Sequence, residues 1–128
     1  MNNNIDDTLV FIAKEFINYT LESTEKWSEA YLRFESEPGA RKVEMIYGYD
    51  GNGTFYEFNE ANDEFTFAIM EPFKHLKELL FKKFEKEFCV CLLKIDSDYN
   101  YDFFYEYDDR NKWEISKMNG ASGIPNLD

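Results

Sequence analysis

The chain is 128 residues long, which suits a single domain with a substantial buried core. Its 44% hydrophobic and 31% charged residues exclude a disordered tail, and two cysteines exclude a disulfide-stapled miniature. With 26 Asp and Glu against 14 Lys and Arg the net charge is −12; such a surface repels nucleic acid and anionic membranes and favours a basic protein partner.

Residues 1–7 have no basic stretch followed by an apolar run, and no segment reaches the roughly 18 apolar residues of a membrane span, so a cytoplasmic protein is expected. Ile5, Leu9, Ile12 and Phe16, with Ala13 and Ile17 beside them, have the spacing of an amphipathic helix over 4–19. Asn4 is placed to cap it, with Asp6 and Asp7 in the first turn. The period then changes to two. In 29–35, Ala30, Leu32 and Phe34 alternate with Glu29, Tyr31, Arg33 and Glu35, the pattern of a strand with one dry and one wet face.

Pro38-Gly39 is a turn, and 41–49 alternates again, with Val43, Met45, Tyr47 and Tyr49 against Lys42 and Glu44. Asp50-Gly51-Asn52-Gly53 forms the next turn, before a short aromatic strand over 54–58. A second helix follows, with Phe73, Leu76, Leu80 and Phe84 on one stripe and Lys74, Glu78, Lys82, Glu85 and Lys86 opposite. Its start has two solutions: Asp63 caps a longer helix, or Pro72 is its first residue after an extended 65–69.

From Phe88 the period returns to two, with Cys89, Cys91, Leu93 and Ile95 on one face. In an extended segment the two cysteines lie about 6.6 Å apart, in poor geometry for a disulfide, and are expected to be buried thiols. After Asp96-Ser97-Asp98 a strand over 101–107 turns Tyr101, Phe103, Tyr105 and Tyr107 inward. Residues 113–118 add a sixth strand or a short helix, and 119–128 is expected to be a flexible tail beyond a domain of 1–118. The sum is α+β: one antiparallel sheet of five or six strands, covered on one face by the N-terminal and central helices.

The chain offers little catalytic equipment, and neither an enzyme nor a cofactor is expected. His75 is the only histidine and falls on the charged side of the second helix. Asp96-Ser97-Asp98-Tyr99-Asn100 matches the start of a calcium loop, but Tyr101 stands where the loop needs glycine and Tyr107 where it needs glutamate. An acidic hairpin turn is the better reading, and no metal site is expected. What remains is partner binding. Asp96, Asp98, Asp102, Glu106, Asp108 and Asp109, with Tyr99 and Phe104 beside them, join a field for a cationic partner to aromatic anchors. The competing surface is the basic stripe of Lys74, Lys82 and Lys86.

Trp27 followed by Tyr31 and Glu35, an apolar strand ending in a Tyr-rich turn, and a Phe- and Leu-rich helix lead into Leu93-Lys94-Ile95-Asp96-Ser97-Asp98 and Tyr105-Glu106-Tyr107-Asp108-Asp109. In this order the motifs resemble those of the YezG-like immunity proteins, over about residues 5–118. Tyr99 and Asn100 replace that family's usual turn glycine, Phe88 a common tryptophan, and Phe104 an acidic residue. The resemblance implies a small cytoplasmic antitoxin that neutralises a cognate toxin domain, whether a DNase, an RNase or another toxin; together with the net charge of −12 and the lack of catalytic equipment it leads to the expectation of a basic nuclease, neutralised by acidic occlusion of its active site or substrate groove. The alternative is an acidic adaptor or calcium-responsive binding domain.

Overall fold

The computed structural model describes residues 4–127. Helix α1 (Ile5–Ser23) starts at Asn4, whose side-chain oxygen accepts from the N–H groups of Asp6 (2.8 Å) and Asp7 (3.3 Å), as the sequence leads one to expect. Strands β1 (Glu29–Glu37), β2 (Ala40–Tyr49) and β3 (Asn52–Phe55) follow as a meander. Asp50 and Gly51, with φ of 52° and 80°, make the two-residue turn between β2 and β3. Helix α2 (Glu60–Phe84), β4 (Val90–Asp96), β5 (Tyr101–Glu106) and a 3₁₀ turn (Met118–Gly120) complete the chain. The five strands are antiparallel in the order β3-β2-β1-β4-β5, so β1 is central and β5 forms one edge. This is an α+β fold with both helices on one face.

The main core lies between sheet and helices. Ala30, Leu32 and Phe34 of β1 stand opposite Ile95, Leu93 and Cys91 of β4, all fully buried, beneath Ile12 and Phe16 of α1 and Phe73 and Leu76 of α2. Phe34 stacks on Phe73 at 4.9 Å. Leu80 is 9% exposed, whereas Leu76 is fully covered. Leu76→Ala is therefore expected to cost about 3 to 5 kcal/mol and Leu80→Ala nearer about 2, read as shifts of the urea midpoint. Equal losses would show that α2 seats differently.

Several boundaries differ from the sequence reading. Strand β3 stops at Phe55, and Tyr56 leaves the sheet to bury its ring against Phe16, Tyr19 and Tyr47, with its hydroxyl 2.7 Å from that of Thr20. Neither solution for α2 gives its start: Asn59 is the cap, accepting from the Asn62 N–H at 2.9 Å, so 65–69 is helical and Pro72 lies inside. Pro72 denies the Ala68 carbonyl its usual donor, but its ring is buried in the core. Phe84 is 57% exposed and leaves the stripe as Glu85 ends α2 with φ 58°. Cys91 is buried as expected; Cys89, just before β4, is only half-buried. Tyr101 and Tyr107 are exposed, leaving Phe103 and Tyr105 to pack inward.

The largest correction concerns the face expected to be wet. Tyr31, Ile46, Leu92 and Ile115 form a second buried cluster there, joined by Phe104, Trp113, Ile124 and Leu127. Residues 113–118 are neither a sixth strand nor an α-helix, and within 119–127, expected to be a flexible tail, Gly123 and Pro125 are buried against the sheet. The approach is so close that a methyl group on Gly53 would meet the Ser122 carbonyl oxygen, and one on Gly123 the Ile46 side chain. Arg33, fully buried, anchors this layer. It donates to Glu35 and Glu44 (both 2.8 Å) and to the backbone carbonyls of Lys112 (2.9 Å) and Arg110 (2.6 Å).

Candidate functional site

The β4–β5 hairpin carries the acidic residues singled out from the sequence, but it separates them by role. Asp96 closes β4 and turns its carboxylate back into the hairpin, accepting from the backbone N–H groups of Asp98 (2.9 Å) and Asn100 (3.0 Å) and from the Asn100 amide (3.1 Å). Those bonds close a tight turn. Glu106, at the far end of β5, accepts from the N–H groups of Asp108 (3.0 Å) and Asp109 (3.1 Å), and Asp109 accepts from Asn111 at 2.9 Å. Asp98, Asp102 and Asp108 are exposed and enter no salt bridge among the described residues. These three leave their charge exposed at the surface.

The turns hold two carboxyls below their ordinary values. At Asp96, the partial loss of water acts upward but is outweighed by the donors of Asn100 and Asp98, with help from the Lys94 charge. At Glu106 the N–H groups of Asp108 and Asp109 act downward. A lowered folded pKa means that the contribution is complete above the ordinary carboxylate range and disappears as pH falls through the lowered value. Hydrogen exchange at the Asp98, Asn100, Asp108 and Asp109 amides should therefore gain on that of the Leu92 and Leu93 amides below about pH 4. An unchanged ratio would show that the carboxylates do not hold these turns.

The two aromatic residues have opposite fates. Phe104 is half-buried in the second cluster, its ring 6.1 Å from that of Trp113, and so supports the sheet rather than standing open. Tyr99 is 57% exposed at the hairpin tip and has φ 68°. That left-handed conformation costs a non-glycine residue roughly 1–2 kcal/mol. Tyr99 and Tyr101 form one wall of a groove of about 400 Å³, whose other wall is the Val10, Ala13, Ile17 and Leu21 side of α1. Leu21 is 45% exposed there, and Lys14 is the one cation in the lining.

Of the stripe expected to carry a competing basic surface, Lys74 and Lys82 share α2, whereas Lys86 lies past the helix end, its ammonium 5.6 Å from the centre of the Tyr107 ring. Lys74 and Lys82 border a depression of about 420 Å³ with Arg41 and Lys77, but Glu37, Glu78 and Glu87 share its rim. Sequence reasoning passes over another surface. Phe58 and Phe67 are 84% and 79% exposed, next to Glu57, Glu60, Asp63 and Glu64. The signal was available, because residues 43–73 contain no Lys, Arg or His. Among the described residues no helix is long and apolar enough to cross a membrane. The chain matches no protein-family model and no curated protein sequence.

Proposed function

We propose that this chain is an immunity protein that acts in the cytoplasm, binding a cognate toxin domain of basic charge, a nuclease, and occluding its active site or substrate groove. The observation that carries the reading is Tyr99. A largely exposed tyrosine kept in a left-handed turn position, between Asp98 and an apolar groove, is a local cost, and such costs concentrate at functional sites. The net charge of −12 and the free carboxylates of Asp98, Asp102 and Asp108 supply the field that draws in a cationic surface. The resemblance of the motif order to that of YezG-like immunity proteins supports the same reading.

The test sequences the neighbouring reading frames for a secreted protein with a variable C-terminal domain and pairs the purified chain with that domain. One equivalent should abolish nuclease activity, and the association rate should fall steeply with salt. Nuclease activity that persists in excess of the chain would refute the proposal. Tyr99→Gly separates fold from function: it should raise stability by about 1 kcal/mol while weakening toxin binding about tenfold. A variant that is more stable and binds equally well would remove Tyr99 from the site.

A further inference from the structure

We propose that the outer edge of β5, together with the groove beneath α1, accepts an extended segment of the partner as a sixth strand, and that this segment alternates apolar residues with Lys or Arg. The inference rests on the reading of the chain as a toxin-binding protein. Its foundation is the register. The Asp96 N–H donates to the Asn100 carbonyl at 3.1 Å, which makes that pair a hydrogen-bonded rung of the β4–β5 ladder. Alternation then assigns the rungs Lys94–Asp102, Leu92–Phe104 and Val90–Glu106 to β4. The N–H and C=O groups of Tyr101, Phe103 and Tyr105 consequently point away from the sheet. Among the described residues no strand takes them up.

The residues around this edge specify the occupant. Side chains on the helix side of an added strand would lie beside Tyr101, Phe103 and Tyr105, and would enter the groove lined by Val10, Ala13, Ile17 and Leu21. Those positions call for apolar residues. Side chains on the opposite side would stand next to Asp102 and Glu106, where Lys or Arg makes favourable cross-strand pairs. Exposed edges are commonly protected by proline or lysine, and β5 has neither. Its acids protect it differently. Two copies of β5 side by side would bring Asp102 and Glu106 against their own kind, so a second copy of this chain is disfavoured and a cationic strand is admitted.

The experiment uses the full chain, isotope-labelled for amide NMR, and a synthetic capped heptapeptide in which Val and Lys alternate. The control peptide has the same composition arranged in blocks. The alternating peptide should shift the Tyr101, Phe103 and Tyr105 amides and slow their hydrogen exchange about tenfold, as new hydrogen bonds require. Tyr101→Pro removes an outward donor without breaking a β4 rung, and should weaken peptide binding about tenfold relative to Tyr101→Ala. Lys14→Glu should tighten it. Equal binding of both peptides, shifts centred on Phe58 and Phe67, or dimerisation through β5 would each overturn the proposal. Because the peptide assay contains no toxin, a failed strand addition with intact toxin inhibition refutes only the edge; the reverse result refutes only the immunity function.

Discussion

Replacing Arg33 by Ala is expected to cost about 3 to 5 kcal/mol, a large share of the stability of a domain this size. The guanidinium is fully buried and serves four acceptors at once, the carboxylates of Glu35 and Glu44 and the carbonyls of Arg110 and Lys112. Its removal leaves two acids close together on neighbouring strands and releases the loop that starts the second layer. Glu35 and Glu44 retain 22% and 20% side-chain exposure, so water recovers part of the loss and places it at the lower end of that range. The damage should be local in structure. Trp113 should lose its near-ultraviolet dichroism and the 107–127 segment should become sensitive to protease, while α1 and α2 stay folded. Arg33→Lys keeps the charge but not the planar fork and should recover less than half the stability. Retention of the Trp113 signal in Arg33→Ala would mean that apolar contacts alone hold the layer.

That layer marks where the sequence stops being legible. Both helices, the meander and hairpin and the helix-side core follow from periodicity, because Ile12 and Phe16, or Leu32 and Phe34, recur at the spacing their element imposes; the β1–β4 pairing that joins meander to hairpin is long-range and leaves no such mark. The same logic assigns Tyr31 and Arg33 to solvent. It fails there because their cover is irregular chain, and irregular chain has no period to read. Trp113, Ile115, Ile124 and Leu127 carry the apolar content of a covering layer in an aperiodic order. The start of α2 was recoverable, since Phe65, Ile69, Phe73, Leu76 and Leu80 continue one stripe through Pro72; the proline obscured it. At the candidate site, composition located the acidic hairpin. It could not distinguish carboxylates that close turns, as Asp96 and Glu106 do, from those left exposed, because that difference lies in backbone geometry.

The second large effect is on the rate of encounter. Asp98→Lys with Asp102→Lys should lower toxin association at low salt by about 10- to 100-fold and flatten its salt dependence, with little change in dissociation. These two positions are preferred to Asp96 and Glu106 because neither supports a turn, so the fold survives the change. A fall in rate alone would not locate the site, because four units of positive charge anywhere on a protein of net charge −12 weaken its long-range field. Glu57→Lys with Glu64→Lys makes the same change on the acidic, aromatic surface around Phe58 and Phe67, and should slow association less than threefold if the hairpin is the docking surface. Lys82→Glu on α2 with Lys86→Glu just beyond its end deepens the negative field and should speed association slightly. The pairwise comparison cancels the global contribution and leaves the local one. If the Glu57 and Glu64 pair produces the larger loss, the partner docks on the α2 aromatics and the hairpin assignment is wrong. If the Lys82 and Lys86 pair alone abolishes protection, the partner is not drawn in by the acidic field at all.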